Sequence, residues 1–487
     1  MSGAAEQSGA APMPHRWRAF AVCAAVAVIT ILDMSKVNVA LPAIRELFDA
    51  GSTQLQLIVS GFVLAFGLFL VPMGRLGDQV SPRRLFVIGL VLYAATSAAC
   101  ALAPTAEMLI ASRIAQGVAA GIQMPQVMGV LQRVFTGRRE RGMAFGMLGA
   151  AIGLGTALGP VLGGVFVELG GPTDGWRGIF WMNVPLGLAA AALALWLLPD
   201  LRPDRAGRVS LDPVGVVLFG VSVLALMVPF LFTTGEPTDD PRRWFSLAVF
   251  VPAAAAFVWW ERRYQRAGNA PLLPVGLLRI VSFRNGTLVM TAYFAGMPAI
   301  FLITTVYLQT GLELGAMAAG AVTIGFALAS AVSSVVGGRL VARLGRPLVA
   351  IGLVLVIATL GGLALVAAFV PPPAVPWAIA AVMLVGGAGG GLVISPNQTL
   401  TLADVPPSDG GLAGSVGQLV QRVGTAVGMA ITLSAFYATV FGESGSESSV
   451  VVYRDAYLHG LLIVGVCMVA ALGFALLDLR RGMRRVA

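Results

Sequence analysis

The sequence predicts an all-α polytopic membrane protein: two six-helix bundles with two helices inserted between them, fourteen transmembrane helices in all. Three observations carry that expectation. Hydrophobic residues make up 57% of the chain and charged residues only 11%, against roughly 25% charged in soluble domains. Long apolar runs recur from end to end. A short basic segment recurs at equivalent places in the two parts of the chain.

The runs justify the elements in order. A helix of about 20 apolar residues crosses a hydrocarbon core of about 30 Å. Such stretches fall at 17–44, 54–74, 85–103, 107–133, 142–167, 178–199, 212–232, 244–260, 285–308, 315–337, 347–370, 376–402, 411–441 and 457–479. Charge tests the same count independently of hydropathy. With the first loop outside, alternate loops and both tails hold 24 arginines, among them Arg83, Arg84, Arg138, Arg139, Arg141, Arg262 and Arg263. The opposite loops hold five basic residues and twelve acids. This asymmetry places both termini in the cytoplasm and the chain in the inner (plasma) membrane as a multi-pass protein. The net charge of +9 then reflects topology and anionic headgroups of the lipid bilayer, with no nucleic-acid partner implied. The divisions read as a cytoplasmic tail 1–16, a bundle 17–199, a linker 200–284 with two inserted helices, a second bundle 285–479 and a basic tail 480–487.

Residues 1–15 lack the charged start, apolar core and cleavage pattern of a signal peptide, so the first helix is expected to remain as an anchor. Cys23, Cys100 and Cys467 lie scattered through apolar runs and read as small buried hydrophobes. With only His15 and His459 beside them, no metal site, disulfide or cofactor is expected.

Of the 32 basic residues, 31 are arginine. The one lysine, Lys36, sits in an apolar run three residues after Asp33, and that spacing puts both charges on one helix face. By helical rise Asp33 lies about 22 Å from Arg18 and Lys36 about 13 Å from Arg45, inside a core of about 30 Å. Charges at that depth are functional candidates by default. Asp33 is the expected protonation switch. Lys36 either pairs with it, in a fixed or exchangeable bridge, or binds an acidic group of a substrate.

The repeat begins Gly74-Arg75-Leu76-Gly77-Asp78 after the second helix and Gly338-Arg339-Leu340-Val341-Ala342 after the tenth. Each stands two helices into a block of six, as in transporters built from two similar halves. Asp78 among arginines, with Gly74, Arg83 and Arg84, is a candidate conformational gate. The second copy has Ala342 where the acid would stand, so such a latch is expected to be asymmetric.

These segments resemble the major facilitator superfamily, and more narrowly its fourteen-helix drug:proton antiporter family. Gly74, Leu76, Gly77, Asp78, Gln79, Arg83 and Arg84 match the superfamily's first cytoplasmic motif, with Ser81 and Pro82 departing from it. Arg113-Ile114-Ala115-Gln116-Gly117 resembles the fourth-helix motif. Gly155-Thr156-Ala157-Leu158-Gly159-Pro160-Val161-Leu162-Gly163-Gly164 resembles the fifth-helix antiporter motif. Trp176 to Gly187 resembles the segment entering the sixth helix, and Leu32-Asp33-Met34-Ser35-Lys36-Val37-Asn38 the first-helix pattern, with Lys36 at a usually apolar place. The resemblance implies a major facilitator fold and export of a small organic compound in exchange for protons. It also implies that the fifth helix holds the two halves together.

The residues themselves add physical content. Gly155, Gly159 and Gly163 share one helix face, where a neighbouring backbone approaches closely, and Pro160 is able to bend the helix there. Arg113, Gln116 and Gln123 lie within about 80° on a helical wheel and are expected to face inward. Ser415, Gln418, Gln421, Arg422 and Thr425 form a polar face on the thirteenth helix. With Asn397 and Gln398 on the twelfth, and Asn38 on the first, they suggest a wet central cavity. Arg422 stands one place later than the family's arginine, while Gly424 and Gly428 hold their spacing.

Rival classes fare less well. No nucleophile, metal cluster or cofactor motif points to an enzyme, and no phosphate-binding loop to ATP-driven pumping. The two-half repeat argues against a passive channel or receptor. Proton-coupled uptake of a metabolite is the remaining rival. The expected partners are a small-molecule substrate and protons, with the chain acting as a monomer.

Overall fold

A computed structural model describes residues 16–199, 212–233, 240–443 and 449–483. His15, residues 1–15 of the expected tail, most of the Arg-rich linker before the inserted helices, and Arg484 and Arg485 lie outside the described residues.

The long helices are α1 Arg16–Phe48, α2 Ser52–Gln79, α3 Pro82–Ala101, α4 Ala106–Val134, α5 Arg139–Gly171, α6 Asp174–Leu197, α7 Pro213–Leu231, α8 Ser246–Arg266, α9 Val281–Val306, α10 Ala316–Leu344, α11 Pro347–Phe369, α12 Val375–Thr401, α13 Gly410–Glu443 and α14 Ser449–Met483. Thirteen helices of the described residues are long and apolar enough to cross a membrane. The remaining one, α4, has 29 residues but carries Arg113, Gln116, Gln123, Gln126 and Gln132, which lower its hydropathy. Their burial explains why it is a helix of the bundle all the same. Polar side chains start two of the helices: Thr105 accepts from the Met108 N–H of α4 at 3.2 Å and Asp212 from the Gly215 N–H of α7 at 2.9 Å, each satisfying a donor the first turn leaves free.

Between α5 and α6 the chain bends at Gly171, whose φ of 76° is open to glycine and strained for other residues. Helical dihedrals persist through Pro160, so the break falls at Gly171 and not at the proline.

Within the first bundle α1 packs on α5, α2 on α4, and α3 on α4 and α6. In the second α9 packs on α13 and α14, and α12 on α10 and α11. The bundles meet through two equivalent pairs, α5 with α10 and α13 with α2. The inserted helix α7 lies against α2 and α13, with Met227 beside Gly67, and α8 packs on it through Phe219 and Phe257, centroids 5.7 Å apart.

Two glycine faces on α5 make this arrangement possible. Gly142 and Gly146 approach α10 so closely that an added Cβ lands 2.5 Å from the Gly338 carbonyl oxygen and 2.6 Å from that of Ser334. Gly155, Gly159 and Gly163 instead receive α1: added Cβ atoms meet Val28 Cγ1 at 3.3 Å, the Ser35 hydroxyl, and the Lys36 carbonyl oxygen at 2.9 Å. At 100° per residue the two faces are about 120° apart. The Gly-Pro stretch therefore packs inside its own bundle, and the contact between bundles is made a few turns earlier, at Gly142 and Gly146.

The second bundle repeats the device. On α13, Gly424 and Gly428 receive α9 at Thr291 and Ala295, while Gly411 and Ser415 face Gly74 of α2. Gly163→Ala should therefore lower the thermal unfolding midpoint in detergent, by overpacking of about 1–3 kcal/mol. Its neighbour Gly164 has open space where a Cβ would stand, so Gly164→Ala should leave the midpoint unchanged or raise it.

Candidate functional site: a buried ion cluster and a latch between bundles

Four helices of the first bundle bring their polar residues to one point. Asp33 and Lys36 of α1, Arg113 and Gln116 of α4, Ser97 of α3 and Asn183 of α6 are all buried. Asp33 Oδ2 accepts from Arg113 Nη1 at 2.6 Å, and Oδ1 from Asn183 Nδ2 at 2.6 Å. Lys36 Nζ stands 3.5 Å from Asp33 Oδ1 and donates to Asn183 Oδ1 at 2.6 Å. Arg113 also donates to Gln116 Oε1 at 2.7 Å and to the Ile58 carbonyl at 3.2 Å. Gln116 Nε2 and Asn183 Nδ2 both reach Ser97 Oγ, at 3.1 and 2.9 Å.

The helical spacing explains this convergence. Residues 33 and 36, and 113 and 116, are each three apart and so share a face; α1 is held at that height by the glycines of α5. Burying an ion costs several kcal/mol, and the loss is offset only where its hydrogen bonds are complete. Here the carboxylate has one full partner on each oxygen. The Arg113 guanidinium also lies over the Phe62 ring, 4.3 Å from its centroid. The cluster holds two cations and one anion. Protonating Asp33 in place leaves the two cations facing each other without a counterion.

Asp33 thus has Arg113, not Lys36, as its shortest ion-pair partner. Lys36 is fully enclosed with its ammonium engaged, so the expectation that it meets a substrate's acidic group does not hold in this conformation. Asn183 and Ser97 were not among the residues singled out from the sequence. Asn183 is the one polar side chain in the apolar run 178–199, and that was the available signal; Ser97, beside Thr96 in α3, had none.

A second site joins the bundles at the end where the arginine-rich loops gather. Asp78, at the end of α2, accepts from the backbone N–H groups of Gly411 at 3.2 Å and Leu412 at 2.8 Å. These are first-turn donors of α13, left unpaired by the helix and favourable to negative charge. Arg133 Nη2 donates to the same carboxylate at 3.2 Å and reaches the Ser408 carbonyl at 3.5 Å. Gln132 donates to the carbonyls of Leu402 and Val405, both at 3.3 Å, and Arg75 stands 3.9 Å from Asp409. The equivalent pair, α10 on α5, has glycine contact, and Ala342 stands where the acid would be.

Other candidates separate. Arg83 donates to the Leu195 carbonyl of α6, within the first bundle, and Arg84 is exposed. Among the described residues no hydrogen bond or ion pair joins either to α13; in the latch Arg133 holds Asp78 and Arg75 stands near Asp409. Gln123 donates to Thr30 at 2.9 Å, tying α4 to α1 below the cluster. Asn397 donates to the Gly286 carbonyl at 2.9 Å, a bond within the second bundle. Asn38 is exposed and outside the cluster. Gln421 lines a small cavity of about 20 Å³ with Gln398, Thr287 and Met290. Arg422 lies over Phe66, 5.2 Å from the ring centroid, and Gln418 is buried beside it on the next turn.

A sequence model of the Major Facilitator Superfamily matches residues 23–429. The chain belongs to that superfamily. It is 32% identical, over 91% of its length and 75% of the relative's, to a probable actinorhodin transporter of Streptomyces coelicolor. It is 29% identical, over 91% of its length and 82% of the relative's, to a tetracenomycin C resistance and export protein of Streptomyces glaucescens. The superfamily fold is also seen in the likeness to the solved proton:xylose symporter XylE, with a TM-score of 0.65, 14% identity, and coverage of 95% of this chain and 94% of that one. In the superfamily's two-bundle architecture the ion cluster lies wholly in the first bundle and the latch between the two.

The charge count in the cluster orders the effects of substitution. Asp33→Asn leaves two buried cations unpaired and should cost about 3–5 kcal/mol of stability. Arg113→Leu and Lys36→Met each leave a neutral pair and should cost less. Chemical denaturation in detergent reads the order; a greater loss in Lys36→Met than in Asp33→Asn contradicts it.

Proposed function

We propose that the protein is a proton-coupled antiporter of the inner membrane, with both termini cytoplasmic, that exports a small organic compound by alternating access. The observation that carries this reading is Asp33: an acid deep in the first bundle, held between two cations, beside a seal between bundles that is made of breakable polar contacts. The relatives whose names describe export and resistance support the direction. One chain supplies both cluster and latch, so a monomer suffices.

The positive-inside rule puts the latch on the cytoplasmic face, which makes this the conformation sealed toward the cytoplasm. A proton reaching Asp33 from outside removes the anion that Arg113 and Lys36 share. Their mutual repulsion then disfavours the packed cluster, and α1 and α4 shift against α5 and α6. The cost of keeping the halves in this state rises, and the α2–α13 seam opens to the cytoplasm. There the proton leaves, the cluster closes again and substrate is carried outward. Release of the seam means losing the bonds from Asp78 to Gly411, Leu412 and Arg133, each charge-assisted and worth about 1.5–3 kcal/mol.

Everted vesicles with an acidic lumen test the coupling. Asp33→Asn should abolish gradient-driven accumulation of an aromatic drug while retaining substrate counterflow, which needs no net proton movement. Gradient-driven accumulation by Asp33→Asn at the wild-type rate sinks the proposal, as does wild-type transport only in the uptake direction. The latch has its own test. In Asp78→Asn a cysteine placed at Ser415 should react several-fold faster with an impermeant maleimide from the cytoplasmic face than it does in the presence of Asp78; an unchanged rate shows that the carboxylate does not hold the seam.

A further inference from the structure

The ionisable side chains in the middle of the membrane do not balance. Three of them, Asp33, Lys36 and Arg113, form the cluster, which carries one net positive charge. The fourth is Arg422. It stands 12 residues into α13 from Gly410, about 18 Å along the helix, and so near mid-membrane. Among the described residues it has no carboxylate partner and no hydrogen bond; its one contact of this kind is the face of Phe66. The two acids of α14 are engaged elsewhere. Asp478, near one end of α14, is occupied by Arg346 at 2.7 Å and Asn285 at 2.8 Å, and Asp455, near the other end, pairs with Arg454 at 2.9 Å.

A second observation points the same way. Gln418, one helical turn from Arg422 and on the same face, is 7% exposed, and its amide Nε2 has no hydrogen-bond partner. A buried amide donor without an acceptor costs about 1–3 kcal/mol, and beside it the half-buried Arg422 is a cation without an anion. Both groups are donors, and both lack the same thing, an oxygen anion. They lie at the seam between bundles: Leu419 of the same helix stands 3.7 Å from where a Cβ on Gly67 of α2 would lie, and Arg422 covers Phe66, which in turn lies 6.0 Å from Phe62, the ring under Arg113. The place is thus where the halves separate and within two rings of the proton-binding cluster.

We propose that Arg422 and Gln418 receive the oxyanion of an acidic organic substrate, a carboxylate or ionised phenol, so that the exported compounds are anions and not cationic drugs. The inference deepens the export reading and rests on it. Arg422 supplies a planar fork that matches a carboxylate, and Gln418 Nε2 supplies a third donor. The two excess positive charges of the core make the site attractive to an anion and repulsive to a cation. Outward passage of a monovalent anion in exchange for an inward proton moves two charges in the same electrical sense, so the rate depends on membrane potential. Exchange of a monovalent cation for a proton moves none.

The test uses the full chain in everted vesicles with an acidic lumen and three probes of one shape: 2-naphthoate, 2-naphthamide and 2-naphthylmethylamine, each corrected for vesicles lacking the protein. The acid should accumulate, faster under a lumen-positive potential, and the amide and amine should not. Arg422→Gln should reduce accumulation of the acid at least tenfold; Arg422→Lys, which keeps the charge and reports on folding, should stay within about threefold, a Lys being a point charge in place of the fork. Gln418→Leu should raise the concentration for half-maximal rate with the maximal rate little changed. The inference is overturned if the acid is not carried, if the amide or amine is carried as well, or if Arg422→Gln carries the acid normally. Failure of the export reading looks different: transport of any probe then persists unchanged when the pH gradient is collapsed.

Discussion

One carboxylate shared by two cations, enclosed by protein on all sides, is the constraint on which the rest of the molecule depends. Asp33 is acceptable at that depth because Arg113 and Asn183 complete its hydrogen bonds, and the two cations are acceptable because Asp33 is ionised. None of the members is tolerable alone. The cluster as it stands suits one protonation state and one arrangement of α1, α3, α4 and α6; in the proposed cycle a single proton changes which arrangement is favoured. A device that must respond to protons needs this kind of mutual dependence; a water-filled pocket with the same residues would screen it away.

Glycine supplies the geometry. The cluster closes only if α1 sits deep against α5, and the Gly155, Gly159 and Gly163 face provides that depth at Val28, Ser35 and Lys36. The second bundle uses Gly424 and Gly428 against α9 in the same manner. Both α5 and α13 then turn their earlier small residues toward the opposite bundle. The two halves so share a construction and differ in chemistry: where α2 meets α13 an aspartate caps a helix, and where α10 meets α5 two glycine backbones touch. Bonds that open and reform are placed on one seam, and close van der Waals contact on the other.

Much of this was legible in the sequence, for definite reasons. Helix number and the two-part plan follow from apolar length and the repeated Gly-Arg-Leu turn, both properties of the chain alone. Asp33, Lys36, Arg113 and Gln116 were visible because a charge or amide in an apolar run has few innocent explanations. Their pairing was not, since it depends on which helices meet: the i to i+3 spacing drew attention to Lys36, while Arg113, 80 residues away, holds the shorter bond. Asn183 was hidden inside a motif, and Arg133 among arginines that orient the chain. The contact made by Arg83 was not legible, because a basic turn looks alike whether it faces the other bundle or its own. The Gly-Pro stretch was likewise expected to bridge the halves, since sequence shows that a face is small without showing what it meets.

In the proposed cycle Asp33 is the group that gains and loses the transported proton. Infrared difference spectra of the purified protein between alkaline and acidic pH test this without a substrate or a membrane potential. The account predicts a protonated-carboxyl band that grows on acidification in the wild type, shifts on carbon-13 labelling of aspartate, and is missing in Asp33→Asn. An identical band in Asp33→Asn, or a wild-type spectrum in which Asp33 stays ionised throughout the range over which transport is active, contradicts it.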